Sequence, residues 1–380
     1  MSADGYGLSS TEHASEIPAP ILKYRPPQPQ HPGNHKIGLI GCGGITAYHL
    51  AAYRRMGLEV AAMADVNRAA AEARRDEFYP EAAVYDDYRA VLEHPGVTVI
   101  DAATHPEPRL GILRDAIAAR KHVLSQKPFV TNLTEGEALV AAAHSAGVQL
   151  AVNHNGRWAP HLAWMRAAVA SGTLGRLASL ECSLQWDHTW IASTPFNDVH
   201  DLILYDFAIH WFDFTACCFA GRAPAQVTAR NACFPDQTMK PPMLAHVLIE
   251  YADGGQATLS FNGHVRHGQQ DATTLCGTEA TVRSTGPSLS EQTVSLHTEA
   301  GTARPKLDGT WFESGFEGTM AELLCAIEDD REPANSAASS LEGLALCFAA
   351  IESAREDGMG IAPQRHRGHG EEKKNSLGQD

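Results

Sequence analysis

The sequence predicts an α/β protein of two domains, a doubly wound parallel sheet followed by an α+β domain with a large, mostly antiparallel open sheet. Three observations support this prediction. The chain has 380 residues, more than one domain usually contains. Residues 36–155 alternate short apolar runs with longer Ala-rich stretches of helical period. Residues 156–360 contain mainly strand patterns in succession, with a few helices between them.

The first domain, residues 36–155, is predicted from strict alternation of strand and helix, which is typical of βαβ units. Its strand patterns are short and apolar, whereas its helix patterns are longer and carry apolar residues at helical spacing. The predicted strands are Lys36–Ile40, Val60–Ala64, Val97–Ala102, His122–Ser125 and Gln149–Val152. The predicted helices are Thr46–Met56, Arg68–Glu77, Arg109–Arg120 and Thr134–Ala146.

The second domain, residues 156–360, begins with a helix and continues as a series of strands. The turn ADGG at 252–255 supplies residues that tolerate positive φ and therefore predicts a hairpin. The predicted strands are Leu177–Trp186, Ala225–Ala232, Leu244–Tyr251, Gln256–Phe261, Ala272–Leu275 and Thr293–His297. The predicted helices are His161–Ser171, Leu202–Phe214 and Ser339–Glu356.

Both ends of the chain are set apart from the two predicted domains. Residues 1–35 carry repeated prolines, as in IPAPILKYRPPQPQHPG, which predicts an arm of polyproline II character. Such an arm is either disordered or bound to a neighbouring subunit. Residues 361–380 are polar and contain glycine, so we expect a disordered tail.

The composition excludes several classes of partner. Lysine and arginine number 30 against 45 acidic residues, giving a net charge of −15, and no basic run offsets this excess. A field of this sign repels nucleic acid and anionic membranes, so we expect a small-molecule ligand. Eight scattered cysteines without a CxxC spacing indicate neither a zinc site nor a disulfide framework. The sequence has no signal-peptide pattern and no run of about 18 apolar residues, so we expect a cytoplasmic protein.

The first predicted strand runs into a glycine turn, Gly41-x-Gly43-x-x-Thr46, at the start of a helix. Glycine lets a pyrophosphate approach the N–H groups at the positive end of that helix, as in a Rossmann domain. Asp65 ends the second strand, where a carboxylate can accept hydrogen bonds from the adenosine ribose and would repel a 2′-phosphate. The predicted cofactor is therefore NAD, and Arg68 keeps NADP as the less favoured alternative. The competing interpretation is a simple tight turn with a surface aspartate.

Three polar residues fit the oxidation of a secondary alcohol. This reaction sends a hydride to nicotinamide and a proton to a base within hydrogen-bond reach of the hydroxyl. Asp206 and His210 are four residues apart in an otherwise apolar predicted helix, so they share one helix face. Histidine titrates near neutral pH, and Lys127 would polarise the alcohol oxygen. Taken singly, each feature is also compatible with an ordinary surface lysine or a pair that only stabilises its helix.

Four segments resemble the Gfo/Idh/MocA oxidoreductases at the expected separations. They are TVIDAATHPEPR (98–109), HVLSQKPF (122–129), NGRWAP (155–160) and LILYDFAIHWFD (202–213). The resemblance extends over most of the chain and implies that Lys127, Asp206 and His210 carry the catalytic roles. Where the family commonly has Glu-Lys-Pro, this chain has Gln126 before the lysine. This departure places the substrate range in question more than the use of the cofactor.

The other predicted site residues belong to these motifs and to the tryptophan-rich segments. Indole faces pack against the C–H face of a sugar while polar side chains bind its hydroxyls, although such tryptophans are also common in cores. The predicted cofactor contacts are Gly41, Gly43, Gly44, Ile45, Asp65, Thr104, His105, Gln126 and Lys127. The predicted substrate contacts are Asn155, Arg157, Trp158, Trp186, His188 and Trp190. No histidine spacing indicates a metal site, so we predict no metal.

Three functions remain open at this point. The first is an NAD-dependent dehydrogenase acting on a secondary hydroxyl of a sugar, glycoside or cyclitol. The second is an NAD-dependent glycoside-cleaving enzyme that oxidises transiently, eliminates the leaving group and returns the hydride. The third is a non-catalytic sensor of NAD and sugar, although such a sensor does not need the proton-transfer residues. An open antiparallel sheet has a face to cover, so we also expect a homo-oligomer, either a dimer or a tetramer.

Overall fold

A six-stranded parallel sheet forms the first domain in this computed structural model, which describes residues 15–364. The strands are β1 (Lys36–Ile40), β2 (Glu59–Ala64), β3 (Ala83–Tyr85), β4 (Val97–Ala102), β5 (His122–Gln126) and β6 (Leu150–Asn153). They lie in the order β3-β2-β1-β4-β5-β6, so the strand order reverses between β1 and β4. Parallel strands end at one edge, and ligands of such sheets bind in the crevice at this reversal point.

Helices connect successive strands of the parallel sheet. They are α1 (Thr46–Arg55), α2 (Arg68–Phe78), α3 (Tyr88–Glu93), α4 (Pro106–Ala118) and α5 (Leu133–Ala146). The predicted doubly wound sheet is confirmed, and most predicted elements end within about two residues of the observed ones. The sequence patterns do not predict β3 and α3, because both elements are short and β3 is only half-buried.

An eight-stranded sheet follows within the described residues. Its strands are β7 (Leu177–Gln185), β8 (Pro224–Ala232), β9 (Leu244–Tyr251), β10 (Gln256–Asn262), β11 (Gln270–Gly277), β12 (Ala280–Ser288), β13 (Glu291–Thr298) and β14 (Gly301–Ala303). They lie in the order β14-β13-β12-β11-β7-β10-β9-β8, and β7 pairs with β10 in parallel whereas the other pairs are antiparallel. The predicted open, mostly antiparallel sheet is therefore confirmed. The sequence patterns do not predict β14 or β12, which contains Gly286 and Pro287.

Four α-helices accompany the second sheet in the described chain. They are α6 (Pro160–Ala170), α7 (Ile209–Cys218), α8 (Trp311–Glu328) and α9 (Ala337–Arg355). The single helix predicted over 202–214 is instead a π-helical turn at Ile203–Phe207 followed by α7. Here the N–H of Ala208 donates to the oxygen of Ile203, which adds one residue to the turn. Such π-turns in helices are frequent at functional sites.

Helix α8 connects the two sheets, although the sequence patterns do not predict it. It begins after Thr310, whose hydroxyl oxygen accepts a hydrogen bond from the N–H of Glu313. Its apolar residues, including Phe316 and Met320, pack in one core with Ile37 and other side chains of the parallel sheet. A helix from the second half of the sequence therefore completes the packing of the first domain.

The described part of the N-terminal arm contacts its own chain. Glu16 forms a parallel bridge with Thr302 in the edge strand β14. Further along, the backbone N–H groups of Gln30 and His31 donate to the carboxylate of Glu328, at the end of α8. The described part of the arm, residues 15–35, therefore packs against its own chain, and its binding to a neighbouring subunit stays a prediction.

The C-terminal segment covers the opposite edge of the eight-stranded sheet. Ile361 pairs with Val227 of β8 through two backbone hydrogen bonds, of 2.7 and 2.8 Å. The tail predicted to begin at residue 361 is therefore paired at its start. Residues 1–14 and 365–380, which complete the predicted arm and tail, lie outside the described residues.

Among the described helices, only α9 is long and apolar enough to cross a membrane by length and composition. Its most apolar 18-residue window has a mean hydropathy of 1.2, and 67% of that window is buried inside the protein. This burial is what a core helix of a globular domain requires.

A buried ion pair fastens α7 to the junction between the two domains. The guanidinium of Arg157 donates to both carboxylate oxygens of Asp213, at 2.7 and 2.5 Å, and both side chains are 2% exposed. Arg157 also donates to the carbonyl of Ala334 and to the hydroxyl of Ser339. Burial raises the pKa of Asp213, but Arg157 and His154 more than offset this effect, so the pKa lies below its ordinary value. The carboxylate is therefore charged at neutral pH.

We expect Asp213→Ala to lower the free energy of unfolding by about 3–5 kcal/mol at pH 7, because it leaves a buried guanidinium without its carboxylate. Urea denaturation measures this loss. The difference from wild type should shrink as the pH falls below about 4, where the unfolded carboxyl is protonated and the contribution of Asp213 is lost. Asp253→Ala, which removes the partner of Arg222 near the surface, is the matched control. An equal loss in both variants would contradict this role for the buried pair.

Candidate active site

The glycine turn lies at the carboxyl end of β1. Gly41 has a φ of +90°, and a Cβ atom there would lie 3.0 Å from backbone atoms of Ala103 and Thr104, so this position requires glycine. A Cβ atom on Gly43 or Gly44 would meet no atom within 4 Å, which leaves open space above the turn. The hydroxyl of Thr46 donates to the carbonyl of Gly43 at 2.6 Å and closes the first turn of α1.

Asp65 directly follows β2, beside this turn. Its carboxylate accepts hydrogen bonds from the N–H groups of Cys42, at 2.7 Å, and Asn67, at 2.8 Å. Arg68, the residue for which NADP remained an alternative cofactor, is paired with Glu72 on the exposed side of α2. The sequence motifs do not include Arg74, whose guanidinium donates to the carbonyl of Gly43 at 3.2 Å.

Two further predicted cofactor residues, Thr104 and His105, follow β4. Ile45, which was also predicted, lies in the glycine turn. The methyl group of Thr104 lies over Gly41, and its hydroxyl is buried without a partner among the described residues. His105 precedes α4, and its ring centroid lies 6.1 Å from that of Phe196. Gly41, Asp65, Thr104 and Gln126 thus follow or end four neighbouring strands at one edge. The open turn, the carboxylate and this crevice fit a dinucleotide.

A cavity of about 610 Å³ lies next to this crevice. Residues from both domains line it, and the predicted catalytic residues are among them. The polar side chains around it are Gln126, Lys127, Asn155, Asp187, His188, Asp206, His210, Gln269, Ser288 and Ser290. The apolar ones are Ile45, Trp186, Trp190, Phe207, Trp211, Pro287, Leu289, Trp311, Phe312 and Phe316.

Lys127 and Asp206 meet across the domain boundary. The ammonium group of Lys127 lies 3.2 Å from the Oδ2 atom of Asp206 and donates to the backbone oxygen of Asp206 at 2.9 Å. The Lys127–Pro128 peptide is cis. The buried guanidinium of Arg109 holds the same loop by donating to the carbonyls of Pro128 and Thr104. The ammonium is therefore directed into the cavity region by contacts from both domains.

His210 lines the same cavity as a buried and neutral imidazole. Burial, followed by the nearby Lys127 and His154, lowers the pKa of His210 well below its ordinary value, and Asp213 only partly opposes this effect. Its Nδ1 atom has no hydrogen-bond partner among the described residues. A neutral imidazole with a free ring nitrogen can accept a proton. The observed partner of Asp206 is Lys127.

Four of the six predicted substrate residues line the cavity: Asn155, Trp186, His188 and Trp190. The indole N–H of Trp186 donates to Asp271, and that of Trp190 donates to His188 at 3.3 Å. Burial lowers the pKa of His188 to about 4, so this ring is neutral as well. The site thus combines several aromatic faces with neutral hydrogen-bonding groups.

The structure does not bring Arg157 and Trp158 to the cavity, which corrects their prediction as substrate contacts. The guanidinium of Arg157 is paired with the carboxylate of Asp213 in the buried ion pair described above. Trp158 is buried against α8, where a Cβ atom on Gly318 would lie 2.1 Å from the indole ring. Both residues therefore belong to the packing of the domain junction.

The part of the cavity wall that comes from α8 and from the turn between β12 and β13 is not predicted by the sequence patterns. Trp311, Phe312 and Phe316 of α8 line the cavity, and Trp311 stacks on Trp211 with ring centroids 5.6 Å apart. One signal for α8 was present, because Thr310 and Glu313 have the spacing of a capping box before an apolar run, and the N–H of Glu313 donates to the hydroxyl of Thr310. Within the described residues, no group of three or more His, Cys, Asp or Glu side chains is arranged to hold a metal ion.

This arrangement defines a class of protein, a dinucleotide-binding oxidoreductase with a second domain that closes the cavity. A family model described as "Oxidoreductase family, NAD-binding Rossmann fold" matches residues 35–154, and the model of the GFO/IDH/MocA C-terminal domain matches residues 162–283. The chain belongs to the Gfo/Idh/MocA oxidoreductase family, and NAD is its cofactor.

Curated relatives match over most of the chain. The D-apiose dehydrogenase of Paraburkholderia graminis is 26% identical over 341 residues, which cover 84% of this chain and 88% of that protein. The inositol 2-dehydrogenase of Rhizobium meliloti is 24% identical over 330 residues, which cover 84% of this chain and 97% of that protein.

Solved structures share the fold. An oxidoreductase from Agrobacterium radiobacter in complex with NAD⁺, L-tartaric acid and magnesium has a TM-score of 0.77 and 22% identity, covering 87% of this chain and 98% of that one. A levoglucosan dehydrogenase in complex with NADH and levoglucosan has a TM-score of 0.75 and 20% identity, covering 87% of this chain and 100% of that one.

The Asp271 carboxyl that holds Trp186 predicts a pH-dependent stability. Burial raises the pKa of Asp271 to about 6, although the Trp186 hydrogen bond opposes this effect. Between about pH 4 and pH 6 the folded protein therefore binds more protons than the unfolded chain, so this carboxyl lowers stability as the pH rises. Asp271→Asn keeps an acceptor for the indole and removes the penalty. We expect the variant to be about 2–3 kcal/mol more stable than wild type at pH 7.5.

Urea denaturation at pH 7.5 and pH 4 checks this expectation, since the two proteins should be equally stable at the lower pH. Asp187→Asn is the matched control. This carboxyl lies beside the same cavity, but hydrogen bonds from Thr189 lower its pKa. A stability difference between Asp271→Asn and wild type that is the same at both pH values would contradict the assignment.

Proposed function

We propose that the protein is an NAD-dependent dehydrogenase that oxidises a secondary hydroxyl of a sugar, glycoside or cyclitol. The observation that carries this proposal is the convergence of Lys127, Asp206 and His210 on one cavity beside the dinucleotide crevice. Bound in the crevice beside Gly41 and Asp65, NAD would supply the nicotinamide ring as acceptor of the hydride from the alcohol carbon. The apiose and inositol dehydrogenases among the relatives support an alcohol with several hydroxyl groups.

Three residues of the chain have separate roles in proton transfer and in stabilising the developing charge. The neutral imidazole of His210 is the base that accepts the proton of the hydroxyl. The ammonium of Lys127 hydrogen-bonds the same oxygen and stabilises the negative charge that develops there. Asp206 orients this ammonium through its carboxylate and its backbone oxygen.

The cavity wall supports a ring-shaped polyol as the substrate. Trp186, Trp190 and Trp311 offer aromatic faces, against which the C–H face of a sugar or cyclitol packs. Asn155 and Gln269 add neutral hydrogen-bonding groups for other hydroxyls. The aromatic rings also exclude water around the reacting carbon, which strengthens the electrostatic effect of Lys127.

The test is a screen of sugars, glycosides and cyclitols for the formation of NADH at 340 nm, the absorbance wavelength of the reduced cofactor. We expect His210→Ala and Lys127→Ala to lower kcat by about 10²–10⁴-fold, because each removes a group that acts in proton transfer or on the developing charge. NAD affinity, measured by calorimetry, should change little. His200→Ala and Lys240→Ala are the matched controls, since both side chains are exposed and neither lines the cavity.

The same screen separates the other two functions. Release of an aglycone without net formation of NADH would favour the glycoside-cleaving reaction. Binding of NAD and a sugar without turnover and without exchange of the substrate C–H hydrogen would favour a sensor. Full activity of both alanine variants would contradict the proposed roles of Lys127 and His210.

A further inference from the structure

A buried polar cluster lies beneath the cavity in the first domain. We call it the His49 cluster, and its members are His49, Tyr53, Asp101, Gln126 and Asn153. Gln126 is 7% exposed and the other four side chains are 0–1% exposed. These residues come from α1 and from the carboxyl-terminal halves of β4, β5 and β6. Only Gln126 lines the cavity, so the cluster connects the cavity wall to the interior of the parallel sheet.

The orientation of the Gln126 amide follows from its two hydrogen bonds. The backbone N–H of Lys127 can only donate, and it donates to the Oε1 atom of Gln126 at 2.7 Å. The other end of the amide, Nε2, therefore faces the Nε2 atom of His49 at 3.1 Å. Because an amide nitrogen is a donor, this ring nitrogen must accept. The Nδ2 atom of Asn153 lies 3.3 Å from the same ring nitrogen.

The other end of the cluster assigns the remaining proton of His49. The Oδ2 atom of Asp101 lies 2.7 Å from the Nδ1 atom of His49 and accepts from the hydroxyl of Tyr53, also at 2.7 Å. Burial and the nearby Asp101 raise the pKa of Tyr53 well above its usual value, so its hydroxyl remains a donor. Because Nε2 accepts, the ring proton lies on Nδ1, which donates to the Oδ2 atom of Asp101. His49 is therefore neutral, protonated on Nδ1 and free to accept on Nε2.

This assignment explains why an amide and not a carboxylate fits at position 126. A glutamate there would accept from the backbone N–H of Lys127 with one oxygen, and its other oxygen would face the lone pair of His49. Two acceptors cannot share one hydrogen bond, so this pair must take up a proton, and the imidazole receives it because it is a stronger base than a carboxylate. A change of tautomer would only turn the Nδ1 lone pair towards the Oδ2 atom of Asp101. The protonated ring would be a cation between the carboxylates of positions 101 and 126.

We propose that His49 is a positioning residue for the oxidation step, because it fixes the Gln126 amide that holds the backbone of Lys127. This inference rests on the proposed function, in which the Lys127 ammonium acts on the alcohol oxygen. The loop is held on both sides: the Gln126 side chain binds the N–H of Lys127, and Arg109 binds the carbonyl of Pro128. Loss of either contact frees the backbone from which the ammonium extends.

The experiment compares Gln126→Glu with the wild-type protein and NAD. The groups that face His49 are the carboxylate of Asp101 from β4, the hydroxyl of Tyr53 from its own helix, two amides and the ring of Phe316 from α8. With a glutamate at 126, we expect ¹⁵N NMR to show an imidazolium at His49 at pH 7. The wild-type protein should show the neutral ring with its proton on Nδ1.

The pH dependence of kcat supplies the kinetic readout. In Gln126→Glu the contact is intact only while His49 carries its second proton, so kcat should fall as the pH rises through the ionisation of this ring. We expect a loss of about tenfold or more at high pH with little change in KM, because a small displacement of a catalytic group is costly. The wild-type profile should lack this additional ionisation.

His122→Ala is the matched control, because it removes a hydrogen-bonding histidine from the opposite end of the same strand, β5. Its kcat and pH profile should equal those of wild type. A wild-type His49 that is doubly protonated at pH 7, or a Gln126→Glu variant with the wild-type NMR signals and pH profile, would overturn the inference. The NMR measurement needs no substrate, so it still tests the cluster if the screen finds no dehydrogenase activity.

Discussion

The placement of the catalytic groups depends on the buried ion pair between Arg157 and Asp213. Arg157 lies in the junction segment that follows the last strand of the parallel sheet, and Asp213 lies on α7, one turn after His210. The pair therefore fixes the helix that carries the proposed base relative to the domain that carries Lys127. Both charges are fully buried, so the pair has few alternative geometries. It therefore restricts the position of α7 and of the cavity wall that this helix forms.

The first domain and the central residues of the site could be predicted from the sequence because their signals are local. The strand-turn-helix at Gly41, the carboxylate at Asp65 and the Lys-Pro after β5 each lie within a few residues of the element that positions them. The i,i+4 spacing of Asp206 and His210 was sufficient to place both on the cavity, even though a π-turn interrupts the helix. The resemblance to the Gfo/Idh/MocA family gave further support, because these motifs lie at the separations along the chain that the family shows.

The remaining parts of the site depend on contacts between distant residues, which leave no local pattern. Helix α8 is nearly buried on all sides and contains Gly315 and Gly318, which allow close approach to the junction segment but weaken the helical signal. Arg157 looks like a substrate ligand in the sequence, because nothing nearby shows that Asp213 neutralises it. The His49 cluster likewise joins residues from three strands and a helix, and only the sheet order brings them together.

The two chain ends have a consequence for how this protein can associate. Glu16 pairs with Thr302 on the β14 edge of the large sheet, and Ile361 pairs with Val227 on the β8 edge. Addition of a foreign strand, the usual route to fibrils and domain swapping, requires an unpaired edge with free N–H and C=O groups. In the described residues each edge strand pairs with another segment of its own chain, so a variant without Glu16 or Ile361 would present more unpaired N–H and C=O groups to a foreign strand.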